Sequence, residues 1–149
     1  MTRTRITTAL AAVGLTALSL TAIPGVAQAS EASSSSTRAA AAPAADGYLH
    51  AWEHEKRNQD RPGRHCQWSG GSANWDSCSM RNTASSLHNN GYTHDAWLYY
   101  SPGQTGARFC LNRGVYLENI VHHYFPHNGT GGGTSLNDNI ASHSWTPNC

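Results

Sequence analysis

The chain has 149 residues, with 10 basic and 9 acidic side chains and a formal net charge of +1 at neutral pH. A protein that binds nucleic acid or an anionic membrane through general electrostatics needs a clear basic surplus. The charge balance therefore argues against both kinds of partner.

Residues 1–29 have the pattern of an export signal. Arg3 and Arg5 precede an apolar run that ends in the small-x-small sequence of Ala27, Gln28 and Ala29. We predict that this segment is removed and that the protein is secreted, with a retained membrane anchor as the alternative. Residues 30–46 are rich in Ser, Ala and Pro and offer no large apolar side chain to bury, so we predict a flexible leader. The remaining residues, 47–149, are enough for one domain.

Four cysteines in a small secreted domain predict two disulfides. They allow three connectivities, and the sequence does not choose among them. One bridge within each half, Cys66–Cys78 and Cys110–Cys149, is the simplest pairing. A zinc site is the alternative, but the chain has no Cys-x-x-Cys pair.

The domain has the pattern of an all-β fold. Segments 97–100, 107–111 and 115–117 are rich in strand-forming residues and are separated by turn residues. The phrase Asn-x-Ala-Ser occurs at 82–85 and again at 139–142, each time at the end of a similar block, which indicates a duplicated unit. We predict a disulfide-braced sandwich of two Greek-key motifs, about 47–95 and 96–149, with the Asn82 and Asn139 loops in equivalent positions.

The second block resembles the Greek key of βγ-crystallins. It has Tyr100 six residues before Gly106 and ends with the phrase at 138–142. With the export signal, the cysteines and the domain size, residues 47–149 resemble the secreted bacterial metallopeptidase inhibitors of peptidase inhibitor family 36, which are built on one βγ-crystallin domain. The stretches that carry this resemblance are 80–91 and 98–111.

The resemblance implies a calcium site. In βγ-crystallins the pattern Asn/Asp-Asn/Asp-x-x-Ser/Thr supplies oxygen ligands, which calcium prefers. The second phrase is intact, whereas Arg81 replaces an oxygen donor in the first. We expect at most one weakly bound calcium ion and no other cofactor, or else side chains that only hydrogen-bond the loop backbone. The candidate ligands are Asn82, Ser85, Asp138, Asn139 and Ser142.

The resemblance also implies inhibition of a secreted metallopeptidase by a monomeric protein. In the family the inhibitory bond follows a bridged cysteine, and thermolysin-like enzymes favour a large apolar residue after that bond. These features predict an inhibitory segment of Phe109, Cys110, Leu111 and Asn112. Leu111 would fill the enzyme's pocket, so Leu111→Asp would abolish inhibition without unfolding the domain. Arg113 and Gly114 could equally address a trypsin-like enzyme.

The alternative function is a module that binds calcium or a cell-wall glycan, with Trp68, Trp75 and the loop 129–133 as candidates for ligand contact. Tryptophan in a small domain is also a common core residue, which is the competing interpretation of both side chains.

Other motifs do not favour an enzyme. His123 and His127 have the spacing of a zincin helix, and His122 lies beside them, but no Glu separates them and Pro126 would break the helix. We therefore expect these histidines to be surface or partly packed residues. Asp138, Ser142 and His143 contain the letters of a catalytic triad, but they lie too close in sequence and no Gly-x-Ser-x-Gly motif occurs. We predict a protein without catalytic activity.

Overall fold

The computed structural model describes residues 44–149. The predicted export signal and all but the last three residues of the predicted leader lie outside the described residues. Asp46, assigned to the leader, is part of the folded domain, since its N–H donates to the carbonyl of Asn90. In the described part of the chain, no helix is long and apolar enough to cross a membrane.

Within residues 44–149, seven strands form two antiparallel sheets. The strands are β1 (Tyr48–Trp52), β2 (His65–Trp68), β3 (Ser86–Asn90), β4 (Asp95–Ser101), β5 (Thr105–Leu111), β6 (Tyr116–Leu117) and β7 (Ser142–Thr146). The first sheet has the order β2-β1-β3-β6 and the second the order β5-β4-β7. The two helical segments are short: a single turn, α1 (Glu55–Asn58), and a 3₁₀ helix (Trp75–Cys78).

Each half of the chain contributes a paired segment to the sheet of the other half. β6 belongs to the second half but pairs with β3 of the first, and in return Ser72 forms a single bridge with His143 of β7. Because each half completes the sheet of the other, the domain cannot be cut between them without exposing backbone groups. The prediction of an all-β, disulfide-braced sandwich of two Greek keys is confirmed.

The core lies between the sheets and follows from strand alternation. Leu49, Leu87 and Leu98 point inward and are fully buried. Trp75 is also fully buried and stacks on Trp68, with the ring centroids 4.7 Å apart. The suggestion that Trp75 contacts a ligand is therefore wrong, because its ring is enclosed by the core.

The repeat of the two halves is visible in the hydrogen bonds, but its register differs from the prediction. The N–H of Ser85 donates to the carbonyl of Trp52, and the N–H of Ala141 makes the same bond to Tyr99, both at 2.9 Å. Ser85 is thus equivalent to Ala141. The repeated phrase instead aligns Ser85 with Ser142, which is one residue further along.

The loops before β3 and β7 contact each other through two backbone hydrogen bonds. The N–H of Asn82 donates to the carbonyl of Ile140 and that of Asp138 to Ala84. Asn82 (φ 56°) and Asp138 (φ 59°) both have left-handed backbone, which Asn and Asp tolerate better than most residues. The loops are equivalent as predicted, but Asn82 matches Asp138 and not Asn139.

The true repeated serines are Ser86 and Ser142, both fully buried. The Oγ of Ser86 donates to the carbonyl of His54 at 2.7 Å and accepts the N–H of Arg57 at 3.2 Å. Arg57 has a left-handed backbone (φ 59°), so the serine fixes a turn that costs free energy to form.

Ser142 holds the corresponding hairpin turn in the second half. Its Oγ donates to the carbonyl of Ser101 at 2.6 Å and accepts the N–H of Gln104 at 3.0 Å. Gln104 is also left-handed (φ 60°). Each serine therefore ties the first hairpin of its half to the last strand of that half.

Ser86→Ala and Ser142→Ala are expected to destabilise the domain by similar amounts. Each change leaves a buried carbonyl and N–H without their partner, a loss of about 1–3 kcal/mol. Denaturant unfolding measures the effect, with the exposed Ser69→Ala as a control that should change stability by less than about 0.5 kcal/mol. A large effect of only one of the two buried serines would contradict their equivalence.

The disulfides are Cys66–Cys78 and Cys110–Cys149, one in each half, which is the simplest pairing considered from the sequence. The first joins β2 to the 3₁₀ helix and the second joins β5 to the last residue. Two such bonds fit an oxidising compartment, such as the extracellular space.

Candidate functional site

The predicted calcium loops lie at the junction of the two halves. Asp138 is exposed, and its carboxylate accepts a hydrogen bond from the amide of Asn137 at 2.8 Å. Partial desolvation raises the pKa of Asp138, and the charge of Glu53 acts in the same direction. Asn139 donates its amide to the carbonyl of Asn137. These contacts hold the loop in shape through its own polar groups.

One of the five predicted calcium ligands is enclosed by the domain. Ser142 is buried and both hydrogen-bonding functions of its hydroxyl are used within the protein, so its assignment as a calcium ligand is wrong. Ser85 lines a cleft together with Glu55 and Asp60. Calcium requires six to eight oxygen ligands, so backbone carbonyls or water would have to complete the set. Binding by Asp138 and its neighbours stays a prediction.

The predicted inhibitory segment is mostly strand. Phe109, Cys110 and Leu111 belong to β5, where Leu111 pairs with Ala96. The Leu111 side chain is only 1% exposed and lies in the core. The prediction that Leu111 enters a peptidase pocket is therefore wrong, because the side chain would first have to leave the interior of its own domain.

The exposed segment is the turn that follows. Asn112, Arg113 and Gly114, here called the Arg113 turn, are all exposed. The Asp95 carboxylate accepts the N–H of Arg113 at 2.8 Å, the N–H of Cys149 at 3.0 Å and the amide of Asn112 at 3.4 Å. These hydrogen bonds, that of Arg113 first, hold the pKa of Asp95 below its usual value.

Asn89 fixes the Arg113 turn from the other side. It is fully buried, and its amide donates to the carbonyls of Leu111 at 2.9 Å and His94 at 3.1 Å. The backbone carbonyl of Asn89 accepts the N–H of Gly114 at 2.7 Å. The Arg113 guanidinium extends outward and donates to the carbonyl of Tyr92 at 3.0 Å. The turn is thus exposed and held rigidly.

A second cluster lies on the outer face of the first sheet. Strand alternation turns Leu49 and Ala51 inward and leaves the neighbouring side chains outside. The histidine face, as we call it, consists of His50, Trp52, His65, His88 and Tyr116.

Two of these histidines form a hydrogen-bonded pair. His50 Nδ1 lies 3.0 Å from His65 Nε2, and the ring planes differ by 12°, so the rings lie edge to edge in nearly one plane. His50 Nε2 lies 2.9 Å from an oxygen of Asp46. Because the carboxylate accepts, Nε2 carries the proton and Nδ1 accepts from His65. Desolvation and the charge of His50 lower the pKa of His65.

Arg57 covers one side of this face. Its guanidinium carbon lies 4.1 Å from the Tyr116 ring centroid and 5.6 Å from that of Trp52, and one terminal nitrogen is 3.5 Å from His88 Nδ1. Burial and then the Arg57 charge lower the pKa of His88. No sequence motif indicates this cluster, since its histidines are adjacent only through strand pairing.

The histidines of the zincin-like spacing lie between β6 and β7. His123 packs edge-on against Phe109, and the ring of His127 lies beside Gly133. His122 is exposed. Each contacts different neighbours.

Comparisons with known proteins show the fold. No protein-family model matches the chain, and no curated protein matches it. One similar structure, described as "Evolution of the eye lens beta-gamma-crystallin domain fold", has a TM-score of 0.52 at 18% identity and covers 72% of this chain and 92% of its own. A βγ-crystallin from Ciona intestinalis has a TM-score of 0.50 at 13% identity, with 67% of this chain and 100% of its own covered. The domain has the βγ-crystallin fold, and the similarity to these two structures concerns the fold alone.

Proposed function

We propose that this domain is secreted and inhibits an extracellular peptidase through the Arg113 turn. The observation that supports it is the combination of exposure and rigidity in one short segment. A disulfide-bonded cysteine lies two residues before the turn, and the Asp95 carboxylate and the Asn89 backbone carbonyl accept the N–H groups of Arg113 and Gly114. A binding loop that is already ordered loses little conformational entropy on association, and the fixed flanks would keep the ends together after cleavage.

The exposed side chain suggests the class of peptidase. Arg113 is long and cationic, and its only hydrogen bond from the guanidinium in the described residues is to a backbone carbonyl. A trypsin-like enzyme binds such a side chain on a carboxylate at the base of its specificity pocket. We therefore propose an arginine-directed peptidase, with the bond between Arg113 and Gly114 in its active site.

A metallopeptidase is the second candidate, as the family resemblance implies. Val115 follows the exposed Gly114 directly and is half-buried. It is the apolar residue nearest to the turn that another protein can reach, whereas Leu111 cannot take that role.

The test is a titration of trypsin and of thermolysin with the purified protein. We expect inhibition of trypsin, and a loss of about hundredfold or more in affinity for Arg113→Ala, since arginine at the centre of an interface is commonly a dominant contact. Arg64→Ala is the matched control, because Arg64 is also exposed but lies in the β1–β2 connection and pairs with Glu53.

Each outcome is decisive. Equal inhibition by wild type and Arg113→Ala would exclude the proposed contact. Inhibition of thermolysin alone, weakened by Val115→Ala, would establish the second candidate. If both enzymes stay fully active at large molar excess, or simply digest the protein, the inhibitor proposal fails.

A further inference from the structure

A cleft of about 390 Å³ lies between the α1 turn and the Arg113 turn, at one edge of the first sheet. We call it the arginine cleft. Its polar and aromatic lining residues are Arg57, His88, Asn90, Tyr92 and Arg113. No carboxylate lines it, although the described domain holds nearly equal numbers of acidic and basic residues. The cleft is therefore complementary to a negatively charged ligand.

The guanidinium groups of the two cleft arginines form no ion pair among residues 44–149. Lys56 and Arg64 are paired, at 3.4 Å from Asp60 and 3.0 Å from Glu53, whereas Arg61 and Arg108 form no ion pair within the same residues. The Asp95 carboxylate accepts the backbone N–H of Arg113, but neither the Arg57 nor the Arg113 guanidinium lies within 4.0 Å of a carboxylate in this part of the chain.

Arg57 is also held in place before any ligand arrives. Its backbone is fixed by Ser86, and its guanidinium rests on the Tyr116 ring. A planar guanidinium offers two parallel N–H donors, which match the two oxygens of a carboxylate. Ordering this long side chain in advance reduces the entropy lost on binding.

Tyr92 forms an aromatic wall. The residue is 65% exposed, which is unusual for such a large side chain, and its ring rests on the backbone of Gly47. A Cβ atom at Gly47, where φ is +88°, would lie 2.5 Å from the ring, so glycine is needed for this contact. An exposed, supported aromatic face suits the flat C–H surface of a sugar ring, which combines apolar faces with polar edges.

We propose that the arginine cleft binds an acidic saccharide. The carboxylate of a uronic acid unit pairs with Arg57 and Arg113, and its ring packs on Tyr92. The cleft is at the lower end of the size range of small-molecule sites, which corresponds to one or two sugar rings. The saccharide proposal does not rest on peptidase inhibition, because Arg57 and Tyr92 lie outside the Arg113 turn. Arg113 is the residue that belongs to both proposed sites.

The experiment is calorimetric titration of the purified protein with three probes: digalacturonate, the neutral galactose disaccharide and sodium sulfate. We expect digalacturonate to bind at least tenfold more tightly than either of the others. Arg57→Gln and Tyr92→Ala should each weaken its binding about tenfold, because each removes a charge-assisted or stacking contact. Arg64→Gln is the control with the same loss of charge outside the cleft, and it should bind as wild type does.

Thermal unfolding of each variant checks that it is folded. If Arg57→Gln does not fold, Arg113→Gln, which lies on an exposed turn, replaces it in the binding test. Equal binding of the acidic and neutral disaccharides would refute the role of the arginines. Sulfate that binds as tightly as digalacturonate would show a bare anion site and refute the saccharide. No heat from any probe at millimolar concentration would overturn the proposal.

Discussion

Leu111→Asp is expected to unfold the domain. The side chain is 1% exposed and packs in the core between the two sheets. An aspartate there would be a buried charge without a partner, or a protonated carboxyl that leaves a void and an unmatched polar group. Either form costs more than about 4 kcal/mol, which is a large part of the stability of a domain of this size.

The measurement is circular dichroism and denaturant unfolding at pH 7. Val121→Asp is the matched control, since Val121 is 38% exposed and the same kind of substitution there should change stability by less than about 0.5 kcal/mol. A folded Leu111→Asp protein with nearly wild-type stability would show that Leu111 is accessible, and would restore the inhibitory role expected for it from the sequence.

The position of Leu111 was predictable from the strand alone. In residues 107–111 the apolar Ala107, Phe109 and Leu111 alternate with Arg108 and the disulfide-bonded Cys110, so Ala107 and Leu111 lie on the same side of β5. An alternating strand buries one of its faces, so its last apolar residue belongs to the core. The resemblance to an inhibitor family placed the contact at a bridged cysteine, and this local pattern argued against it.

The repeat was visible in the sequence, but its register was not. The first half contains both Ser85 and Ser86, and the repeated phrase selects Ser85 by its letters. In the structure Ser86 is the equivalent of Ser142, because both hydroxyl groups bond to the first hairpin turn of their half. A contact between residues far apart in the chain decides between adjacent serines, and no local pattern carries that information.

The outer face of the first sheet could be predicted only in part. The alternation of β1 indicates that His50 and Trp52 share a face. His65 and His88 join them through pairing with strands distant in sequence, and Arg57 reaches them from a left-handed turn. Left-handed backbone at an arginine is unusual, so a propensity argument would not have placed its side chain there.

The domain is expected to lose about 3 kcal/mol of stability as the pH falls from 7 to 4, through His143 alone. This histidine is fully buried, Trp75 donates its indole N–H to Nδ1 at 2.8 Å, and Nε2 therefore carries a proton that it donates to the carbonyl of Gly70 at 2.9 Å. Burial lowers the pKa of His143 to about 4, although the Gly70 carbonyl acts in the opposite direction.

The sign follows from proton binding. In the unfolded chain His143 has its ordinary pKa of about 6.5, so below that pH the unfolded state gains a proton that the folded state does not bind. The contribution of the neutral ring is complete above pH 6.5 and is lost as the pH falls toward 4. The lowered pKa values of His65 and His88 act in the same direction.

Denaturant unfolding at pH 7, 5.5 and 4 measures the loss, and an NMR titration of the His143 ring measures its pKa directly. His143→Gln keeps one acceptor and one donor but cannot titrate, so it should be less stable than wild type at pH 7 and show a flatter pH dependence. His122→Gln, at an exposed position, should leave both the stability and its pH dependence unchanged. A wild-type stability that is constant from pH 7 to 4 would mean that water reaches His143, and that its link to Gly70 is open in solution.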